Sequence, residues 1–200
     1  MLFEENTNDF VESDCTLLYY ENFISSSFSK ELFEHFKNNL SWHSESIFIY
    51  GKTMKQPRLT CWVGMGLSAA SKYSSPMPAN DWDEKTLKLK NLVEEKTSAT
   101  FNSILLNYYR DGKDSMGAHS DDEPILGEKP TIASLSLGET RRFYLKEKVS
   151  KNTVWKEDLK DGSLLVMGGS LQEKYIHGIN KTTRDIGPRI NLTFRHLKNT

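Results

Sequence analysis

Short runs of alternating apolar and polar residues, separated by turn residues, fill the second half of the chain. Period-two alternation and apolar runs bounded by Gly, Pro or Asp are typical of β-strands. Turn pairs such as Asp111-Gly112 and Gly168-Gly169 separate these runs. The pattern predicts six strands, at residues 104–109, 132–137, 143–145, 164–167, 175–179 and 189–194.

The first half of the chain has a helical pattern in two places. Residues 29–40 carry an apolar stripe at helical spacing, formed by Leu32, Phe33, Phe36 and Leu40. Residues 81–97 begin with Asp81 and Glu84 at the spacing of a capping box, so Asp81 is the predicted N-cap. Gly, Ser and Pro residues predict a loop or an irregular hairpin over 64–80. Helices followed by many short strands predict a mainly β fold of the α+β class, a sandwich or jelly roll with the N-terminal helices packed on one sheet.

Length and composition predict a single folded domain. The chain has 200 residues, which is about one domain, and 11% of them are aromatic. Its 26 basic and 27 acidic residues leave a net charge of −1, so neither disorder nor general attraction to nucleic acid is expected. Any nucleic-acid binding must therefore depend on a local patch. Residues 1–15 are polar and are expected to be a loose arm, and residues 16–200 are expected to form the domain.

The chain lacks the sequence features of membrane and secreted proteins. No apolar run approaches the ~20 residues of a membrane span, and the acidic start does not resemble a secretion signal. Cys15 and Cys61 are the only cysteines, and their spacing suits neither a disulfide framework nor a metal site. Two inert thiols are typical of a reducing compartment. We therefore expect a cytoplasmic monomer, or a nuclear one in a eukaryote, that is neither secreted nor bound to a membrane.

Two histidines and an aspartate form a candidate metal site. His119 and Asp121 are two residues apart, so in an extended segment both side chains point to the same side. His177 lies in another predicted strand. Two histidines and one carboxylate can occupy one face of an octahedron, which is the arrangement of non-haem Fe(II) oxygenases. A solvated acidic loop at Asp121-Asp122-Glu123 and a zinc site are the alternatives.

The last predicted strand has one polar and one apolar face. Strict alternation places four polar or cationic side chains on one face: Arg189, Asn191, Thr193 and Arg195. If the strand lies at the edge of a sheet, this polar face is in water. Alternatively, Arg189 and Arg195 hold the two carboxylates of a small dianion, such as a dicarboxylate co-substrate. Asn107 and Tyr109 form a second alternating pair that can hydrogen-bond carboxylate oxygens.

Four segments together resemble a known enzyme family. Residues 107–115 read NYYRDGKDS, residues 119–124 read HSDDEP, residues 134–138 read SLSLG and residues 188–195 read PRINLTFR. These motifs, in this order, resemble those of the AlkB family of Fe(II)/2-oxoglutarate dioxygenases, in its nucleic-acid repair branch. PRLT at 57–60, Gly64 and FNS at 101–103 also fit that branch, so the resemblance covers about residues 57–195.

The resemblance implies a fold, cofactors and roles for individual residues. It implies a double-stranded β-helix, a jelly roll, over residues 101–197, and helices with a nucleotide-recognition lid over residues 16–100. It implies that His119, Asp121 and His177 ligate Fe(II). Five residues are implied to hold 2-oxoglutarate: Arg189 and Tyr109 with Asn191 at its distal carboxylate, and Asn107 and Arg195 at its metal-proximal end. The implied reaction consumes O2 and 2-oxoglutarate and releases succinate, CO2 and formaldehyde.

The resemblance further implies a methylated base as substrate. The implied substrates are 1-methyladenine and 3-methylcytosine in DNA, or in RNA, presented on a single strand or flipped out of a duplex. The candidate substrate contacts are Asp122, Glu123, Arg58, Tyr73 and Trp62. Among these, Glu123 is preferred for the exocyclic amine, and Arg58 is the first residue to test for phosphate contact.

The base pocket departs from the family pattern at three places. Residues 71–75 retain only one aromatic side chain, Tyr73, where the family has two, with Ser71 at the other position. Val63 stands where an aromatic residue is common, and Ala118 stands where Trp is frequent. These differences leave two further hypotheses open: a hydroxylase of proteins or small molecules, and an inactive jelly-roll binding module.

Overall fold

The computed structural model describes residues 12–49, 51–65 and 79–198. Within these ranges the chain forms thirteen strands and three helices. The strands are β1 (Cys15–Tyr20), β2 (Ser46–Ile49), β3 (Lys52–Lys55), β4 (Leu59–Gly64), β5 (Ala79–Asn80), β6 (Ser103–Tyr109), β7 (Met116–His119), β8 (Ile132–Gly138), β9 (Arg141–Glu147), β10 (Thr153–Leu159), β11 (Leu164–Gly169), β12 (Tyr175–Ile179) and β13 (Arg189–Arg195). The helices are α1 (Ser26–Asn39), α2 (Glu84–Thr97) and α3 (Leu171–Lys174).

Two sheets form the body of the molecule. The larger has the strand order β1-β11-β8-β13-β6-β4-β5, and the smaller has the order β10-β9-β12-β7. Neighbouring strands are antiparallel, apart from β4 and β5. Side chains from both sheets meet in a shared core, so the sheets pack face to face. This arrangement confirms the predicted mainly β, α+β jelly-roll fold.

Each face of the larger sheet has its own apolar core. The outer core contains alternate residues of β13, namely Ile190, Leu192 and Phe194, packed with side chains from α1 and α2. The inner core lies between the sheets, where Tyr109 and Leu165 of the larger sheet meet Phe143 and Leu145 of the smaller one. Both helices therefore cover one face of the larger sheet, as the sequence predicts, and the inner face is left for the site.

Helix α1 contains the predicted apolar stripe but begins earlier than predicted. Ser25 caps it, because its hydroxyl accepts a hydrogen bond from the Phe28 N–H at 3.3 Å. Leu32 and Phe36 are fully buried against the larger sheet. None of the helices in the described residues has the length and apolar character that a bilayer-spanning segment requires.

The N-cap of helix α2 lies two residues after the predicted one. The structure has Asp83, not Asp81, at the N-cap, and Thr86 in place of Glu84 as its partner. The Asp83 carboxylate accepts from the Thr86 N–H at 2.8 Å, and the Thr86 hydroxyl accepts from the Asp83 N–H at 2.9 Å. Both Asp-x-x-Thr and Asp-x-x-Glu satisfy the capping rule, so the sequence alone could not choose between them. Leu89 is then buried.

Three strands before residue 100, namely β1, β4 and β5, belong to the larger sheet, which the sequence pattern did not predict. β1 pairs with β11, and β4 pairs with β6, so the predicted division at residue 100 does not separate helices from jelly roll. The described end of the predicted arm is not loose. Cys15 begins β1, and the Ser170 N–H donates to the Asp14 carbonyl at 2.8 Å. Residues 1–11 of that arm lie outside the described residues.

Candidate active site

The three predicted metal ligands lie together at the inner face of the smaller sheet. β7 and β12 pair so that His119 and His177 are directly opposite each other, with ring centroids 4.4 Å apart. Asp121 follows β7, and its Oδ2 lies 3.7 Å from His177 Nε2. Donor atoms of the three side chains lie within 4.8 Å of one another. A single ion can therefore contact all three.

The protonation states of the two histidines suit metal binding. The Nδ1 of His119 lies 3.0 Å from the Gly117 carbonyl oxygen. A carbonyl oxygen only accepts, so Nδ1 is the donor and Nε2 is the ring nitrogen left to face a metal. Burial, with the neighbouring His119, lowers the pKa of His177 to about 3, so its ring is neutral at pH 7. The ring of Phe143 stacks on His177 at 5.3 Å and holds its orientation.

The Asp121 carboxylate is charged although it is buried. Burial alone would raise its pKa, but Arg195, His119 and His177 outweigh burial and lower it. Arg195 donates a short hydrogen bond from Nη2 to the Asp121 Oδ1. Its other carboxylate oxygen, Oδ2, is the one that faces His177. An ionised carboxylate beside two imidazoles is a donor set that binds a divalent metal once the rings are unprotonated.

The polar face of β13 is buried between the two sheets. Arg189, Asn191 and Arg195 are 1%, 7% and 6% exposed. Arg189 Nη2 donates to the Ser136 hydroxyl at 2.9 Å, and Asn191 Nδ2 donates to the Ser134 hydroxyl at 2.7 Å. The edge-strand alternative is therefore wrong, because β13 lies between β6 and β8 and its polar face has no access to bulk water.

The predicted co-substrate residues line the same cavity as the predicted metal ligands. β13 pairs with β6 so that Arg189 is opposite Tyr109 and Asn191 is opposite Asn107. Eight predicted residues contribute to the cavity wall, namely His119, Asp121, His177, Asn107, Tyr109, Arg189, Asn191 and Arg195. One compartment thus contains both predicted sets of residues.

Positive charge exceeds negative charge among the buried side chains around this cavity. The buried arginines are Arg58, Arg141, Arg189 and Arg195, whereas the buried carboxylates of the described residues are Asp114 and Asp121. Arg189 Nε and Nη1, and Arg195 Nε, have no hydrogen-bond partner in the described part of the chain. Burial lowers the pKa of Arg189 to about 10, which still leaves it charged at pH 7. Buried cations with free donors require an anionic partner, so the cavity suits an anionic ligand.

Arg58 and Trp62 are buried in the structure, contrary to the surface phosphate contact predicted for Arg58. They are 8% and 5% exposed. Arg58 Nε donates to the Asn107 Oδ1 at 2.7 Å, and the Trp62 ring lies 6.0 Å from the Arg195 guanidinium. Trp62 lies on β4, an internal strand beside β6, and Arg58 immediately precedes β4. Arg58 is therefore placed to support Asn107 rather than to contact a phosphate at the surface.

The other predicted substrate contacts lie at the surface or outside the described residues. Asp122 and Glu123 are exposed on the loop after Asp121. Asp122 accepts hydrogen bonds from Ser120 at 2.8 Å and from Lys148 at 2.9 Å. Glu123 precedes a single 3₁₀ turn and caps it without a side-chain hydrogen bond. Tyr73, with the rest of the predicted lid at residues 71–75, lies outside the described residues.

Two groups in the site were not predicted from the sequence. Ser134 and Ser136 of β8 accept from Asn191 and Arg189, and their period-two spacing was a signal that could have identified them. Arg141 is 3% exposed and donates to the carbonyls of Asp111, Asp114 and Asn180. Its partners are distant in sequence, and no local pattern indicated them.

The Tyr109 ring lies between two guanidinium groups. The carbon centre of Arg189 is 5.2 Å from the ring centroid, and that of Arg141 is 5.5 Å from it. A cation over an aromatic face is attracted by the ring quadrupole, so these contacts fix the ring while both charges remain near the cavity. The Arg141 guanidinium thus adds a second positive charge next to Tyr109, which was predicted to bind the co-substrate.

Comparison with known proteins agrees with this geometry. A sequence model of the 2OG-Fe(II) oxygenase superfamily matches residues 16–195. The chain is 38% identical to the Bos taurus alpha-ketoglutarate-dependent dioxygenase alkB homolog 3 over 181 residues, covering 86% of this chain and 63% of that protein. It is 35% identical to the Arabidopsis thaliana DNA oxidative demethylase ALKBH2 over 205 residues, covering 90% of this chain and 65% of that protein. The chain thus spans slightly less than two thirds of the length of these relatives.

The solved structure of OsALKBH1 has the same fold. It superimposes with a TM-score of 0.66 at 17% sequence identity and covers 94% of this chain. The relatives confirm the resemblance to AlkB proteins that the motifs indicated. Two imidazoles and a carboxylate are a ligand set that suits Fe(II), and the unpaired buried donors suit a dicarboxylate, so the residues present fit the cofactors of the matched family. Because the family model matches residues 16–195, which is nearly the whole described fold, the chain belongs to the 2OG-Fe(II) oxygenase superfamily.

Proposed function

We propose that this protein uses Fe(II), 2-oxoglutarate and O2 to remove N-methyl groups from bases in DNA, with 1-methyladenine and 3-methylcytosine as substrates. RNA is the alternative polymer. The observation that carries the proposal is the single buried cavity that contains His119, Asp121 and His177 beside an excess of buried guanidinium groups. The relatives named as DNA oxidative demethylases support the choice of substrate.

His119, Asp121 and His177 are the proposed Fe(II) ligands. Each would contribute one donor atom, so the three residues would hold the ion and leave it accessible to the co-substrate and O2. When bound, the iron with 2-oxoglutarate and O2 supplies the oxidising power for hydroxylation of the N-methyl carbon, and the product loses formaldehyde. Arg195 keeps Asp121 ionised and fixes one of its carboxylate oxygens, so the other stays directed at the ion.

Arg189 is the proposed partner of the distal carboxylate of 2-oxoglutarate. Its Nε and Nη1 are buried and lack partners among the described residues, while Ser136 holds its Nη2. Tyr109 lies opposite it on β6 and offers a phenol to the same carboxylate. Asn191 is proposed to contact this carboxylate too, and Asn107 and Arg195 are proposed to contact the metal-proximal end of the co-substrate. The two sheets exclude water here, which strengthens each of these charged hydrogen bonds.

The substrate base is proposed to enter beside the loop that follows Asp121. A base in a duplex must be flipped out to reach a buried centre, whereas a single strand avoids that cost. Glu123 is exposed on this loop and has a carboxylate that can accept from the exocyclic amine of adenine or cytosine. Asp122 is paired with Lys148, so we propose Glu123 as the acceptor and Asp122 as its neighbour at the entrance.

Mass spectrometry of short methylated oligonucleotides tests this function. Single strands that carry 1-methyladenine or 3-methylcytosine are incubated with Fe(II), 2-oxoglutarate and O2. The mass of the expected product is lower by one CH2 than that of the substrate strand. Asp121→Ala is expected to abolish this product, while Glu173→Gln, an exposed change, serves as the matched control. Succinate formation without any change in mass of DNA or RNA strands would reject the nucleic-acid assignment and favour another substrate.

A further inference from the structure

A buried glutamine holds the backbone of Asp121. The Gln172 side chain is 1% exposed, and its Oε1 accepts a hydrogen bond from the Asp121 N–H at 2.9 Å. The two residues are 51 positions apart in the chain. Gln172 lies in α3, the short helix between β11 and β12, whereas Asp121 follows the end of β7. The contact therefore joins two separate segments of the site.

The N–H of Asp121 requires this acceptor. β7 ends at His119, so Asp121 has left the β-ladder and has no partner strand for its backbone. Asp121 is 2% exposed, which also removes water as a partner. A buried N–H must be paired, so without Gln172 the segment would turn to find another acceptor. Any such rotation of the backbone would also move the Asp121 carboxylate, because that side chain is attached to the same Cα.

The acceptor itself is held in place on several sides. Leu171, which precedes it, is fully buried in the inner core. Gln172 Nε2 lies 3.7 Å from the Met167 Sδ, which fixes the amide from its other end. The start of α3 is tied to the N-terminal segment, because the Ser170 N–H donates to the Asp14 carbonyl at 2.8 Å. These neighbouring residues thus hold the Gln172 Oε1 in position.

Asp121 therefore has two independent restraints. Arg195 fixes the side chain through Oδ1, and Gln172 fixes the backbone through the N–H. Together they leave Oδ2 directed toward His177. Restraining only the side chain would still allow the backbone to rotate, and this rotation would spread the three donor atoms apart.

We propose that Gln172 is a positioning residue for the metal centre, which sets metal affinity by holding Asp121 through its backbone. This inference rests on the proposed Fe(II) site and adds a residue that touches neither the ion nor the substrate. Outer partners that orient metal ligands typically contribute 10- to 100-fold in affinity. We expect the same range here.

Titration of metal-free protein with Mn(II), followed by calorimetry, tests the proposal without turnover. Gln172→Leu removes the acceptor at similar volume, and it is expected to weaken Mn(II) binding by about 10- to 100-fold. Gln172→Glu keeps an acceptor oxygen in either ionisation state, and it is expected to bind Mn(II) within about threefold of the unaltered protein. Both variants lose the amide contact with Met167, so their difference isolates the acceptor. Glu173→Gln, on the exposed side of α3, is the control.

Exchange of the Asp121 amide proton in metal-free protein provides a second measurement. The proton is expected to exchange slowly in the unaltered protein and in Gln172→Glu, and faster in Gln172→Leu. A structural role alone would change the melting temperature of both variants equally and would not separate them. If the leucine variant does not fold, Gln172→Met takes its place, because its thioether is only a weak acceptor.

The outcomes distinguish the inference from the proposed function. Unaltered protein that binds no Mn(II), or Asp121→Ala that binds as well as unaltered protein, would reject the metal site itself. Metal binding that requires Asp121 but is equal in Gln172→Leu and unaltered protein would overturn the role of Gln172 alone. Equal losses in the leucine and glutamate variants would also overturn it, since packing rather than the acceptor would then be responsible.

Discussion

At the scale of single residues, Arg189 is placed where an arginine does not stabilise the folded chain by itself. It is the largest fully buried side chain, and it forms no ion pair within the described residues. Ser136 satisfies one of its nitrogens, and two others remain without partners there. Desolvating a cation without a counter-ion is costly, so the residue is explained by a bound anion rather than by stability of the empty fold.

Replacing Arg189 by Met is therefore expected to affect the co-substrate and to spare the fold. Truncating one partner of a buried, hydrogen-bonded charge pair costs about 2–5 kcal/mol, which corresponds to roughly 30- to 4000-fold in affinity. We expect the KM for 2-oxoglutarate to rise within that range. We also expect the melting temperature of the empty protein to stay the same or increase, because an unpaired charge is removed. Succinate formation at varied 2-oxoglutarate and a thermal melt measure the two effects, and an unchanged KM would contradict the assignment.

The two cysteines give a second prediction at this scale. Burial raises the pKa of the Cys61 thiol to about 12, and burial with the nearby Asp14 and Glu12 raises that of Cys15 to about 11. Thiols in the neutral form react slowly with alkylating agents. At pH 8, we expect iodoacetamide to leave Cys61 unmodified in folded protein and to modify it in urea. Mass spectrometry of peptides reads the result, and rapid labelling of folded Cys61 would show that β4 opens.

Residue identities were predictable where a local pattern carried them. His119 and Asp121 share a strand-like spacing, and Arg189, Asn191 and Arg195 share one face of a strand, so the sequence placed them on common surfaces. The hydrogen bond from the Asp121 N–H to the Gln172 side chain was not predictable, because it joins segments whose proximity depends on the completed fold. For the same reason, the burial of Arg58 follows from the pairing of β4 with β6 and not from its own neighbours.

At the scale of elements, the connection between β6 and β7 is held by one ion pair. Asp114 accepts from the Arg110 N–H at 2.9 Å and from its guanidinium at 2.7 Å and 2.9 Å. Arg141 donates to the backbone carbonyl of Asp114 at 2.8 Å. This connection leads from the strand with Asn107 and Tyr109 to the strand that ends at His119, so its geometry links the two halves of the site.

The Asp114→Asn variant is expected to show what this ion pair contributes and at which pH. Burial raises the pKa of Asp114, but hydrogen bonds from Arg110 outweigh it, so the net pKa lies below the usual value. Unfolded chains then bind more protons than folded ones as the pH falls below about 4, and the stabilisation is lost there. We expect the variant to be less stable by about 1–3 kcal/mol at pH 7, with a smaller difference at pH 3. Urea denaturation at both pH values measures this, and an equal difference at both would show that the charge is irrelevant.

Elements with a clear period, or with an apolar run bounded by turn residues, were predictable, whereas β4 was not. The alternation in β13 and the stripe of α1 identify those elements directly. β4 has no such pattern, because Thr60, Cys61, Trp62 and Val63 are all buried. A strand covered on both sides shows an apolar run instead of alternation, which periodicity cannot distinguish from other buried segments. β1 was not predicted either, because it begins at Cys15, the last residue of the polar segment that was expected to be a loose arm.

At the scale of the whole molecule, the two cores have separate tasks. The outer core between the helices and the larger sheet is built from apolar side chains and stabilises the fold. The inner space between the sheets combines apolar side chains with the buried arginines and the metal ligands. The helices on one face thus stabilise the larger sheet while its other face retains unpaired polar groups.

Ligands that complete the inner space are therefore expected to stabilise the whole domain. A ligand at 100 times its Kd adds about 2.7 kcal/mol to the free energy of unfolding. For a domain of this size, that corresponds to an increase of about 5–11 °C in melting temperature. We expect this increase with Mn(II) and 2-oxoglutarate together, and a smaller one with succinate, which lacks the keto group that chelates the ion. Arg189→Met should lose most of the increase; a full increase in that variant would contradict the proposed site.

The buried arginines of the inner space also have a consequence for how long the protein survives. Because a bound anion would relieve the repulsion among them, we expect the empty protein to open more often than the liganded protein, and therefore to be cleaved faster by proteases.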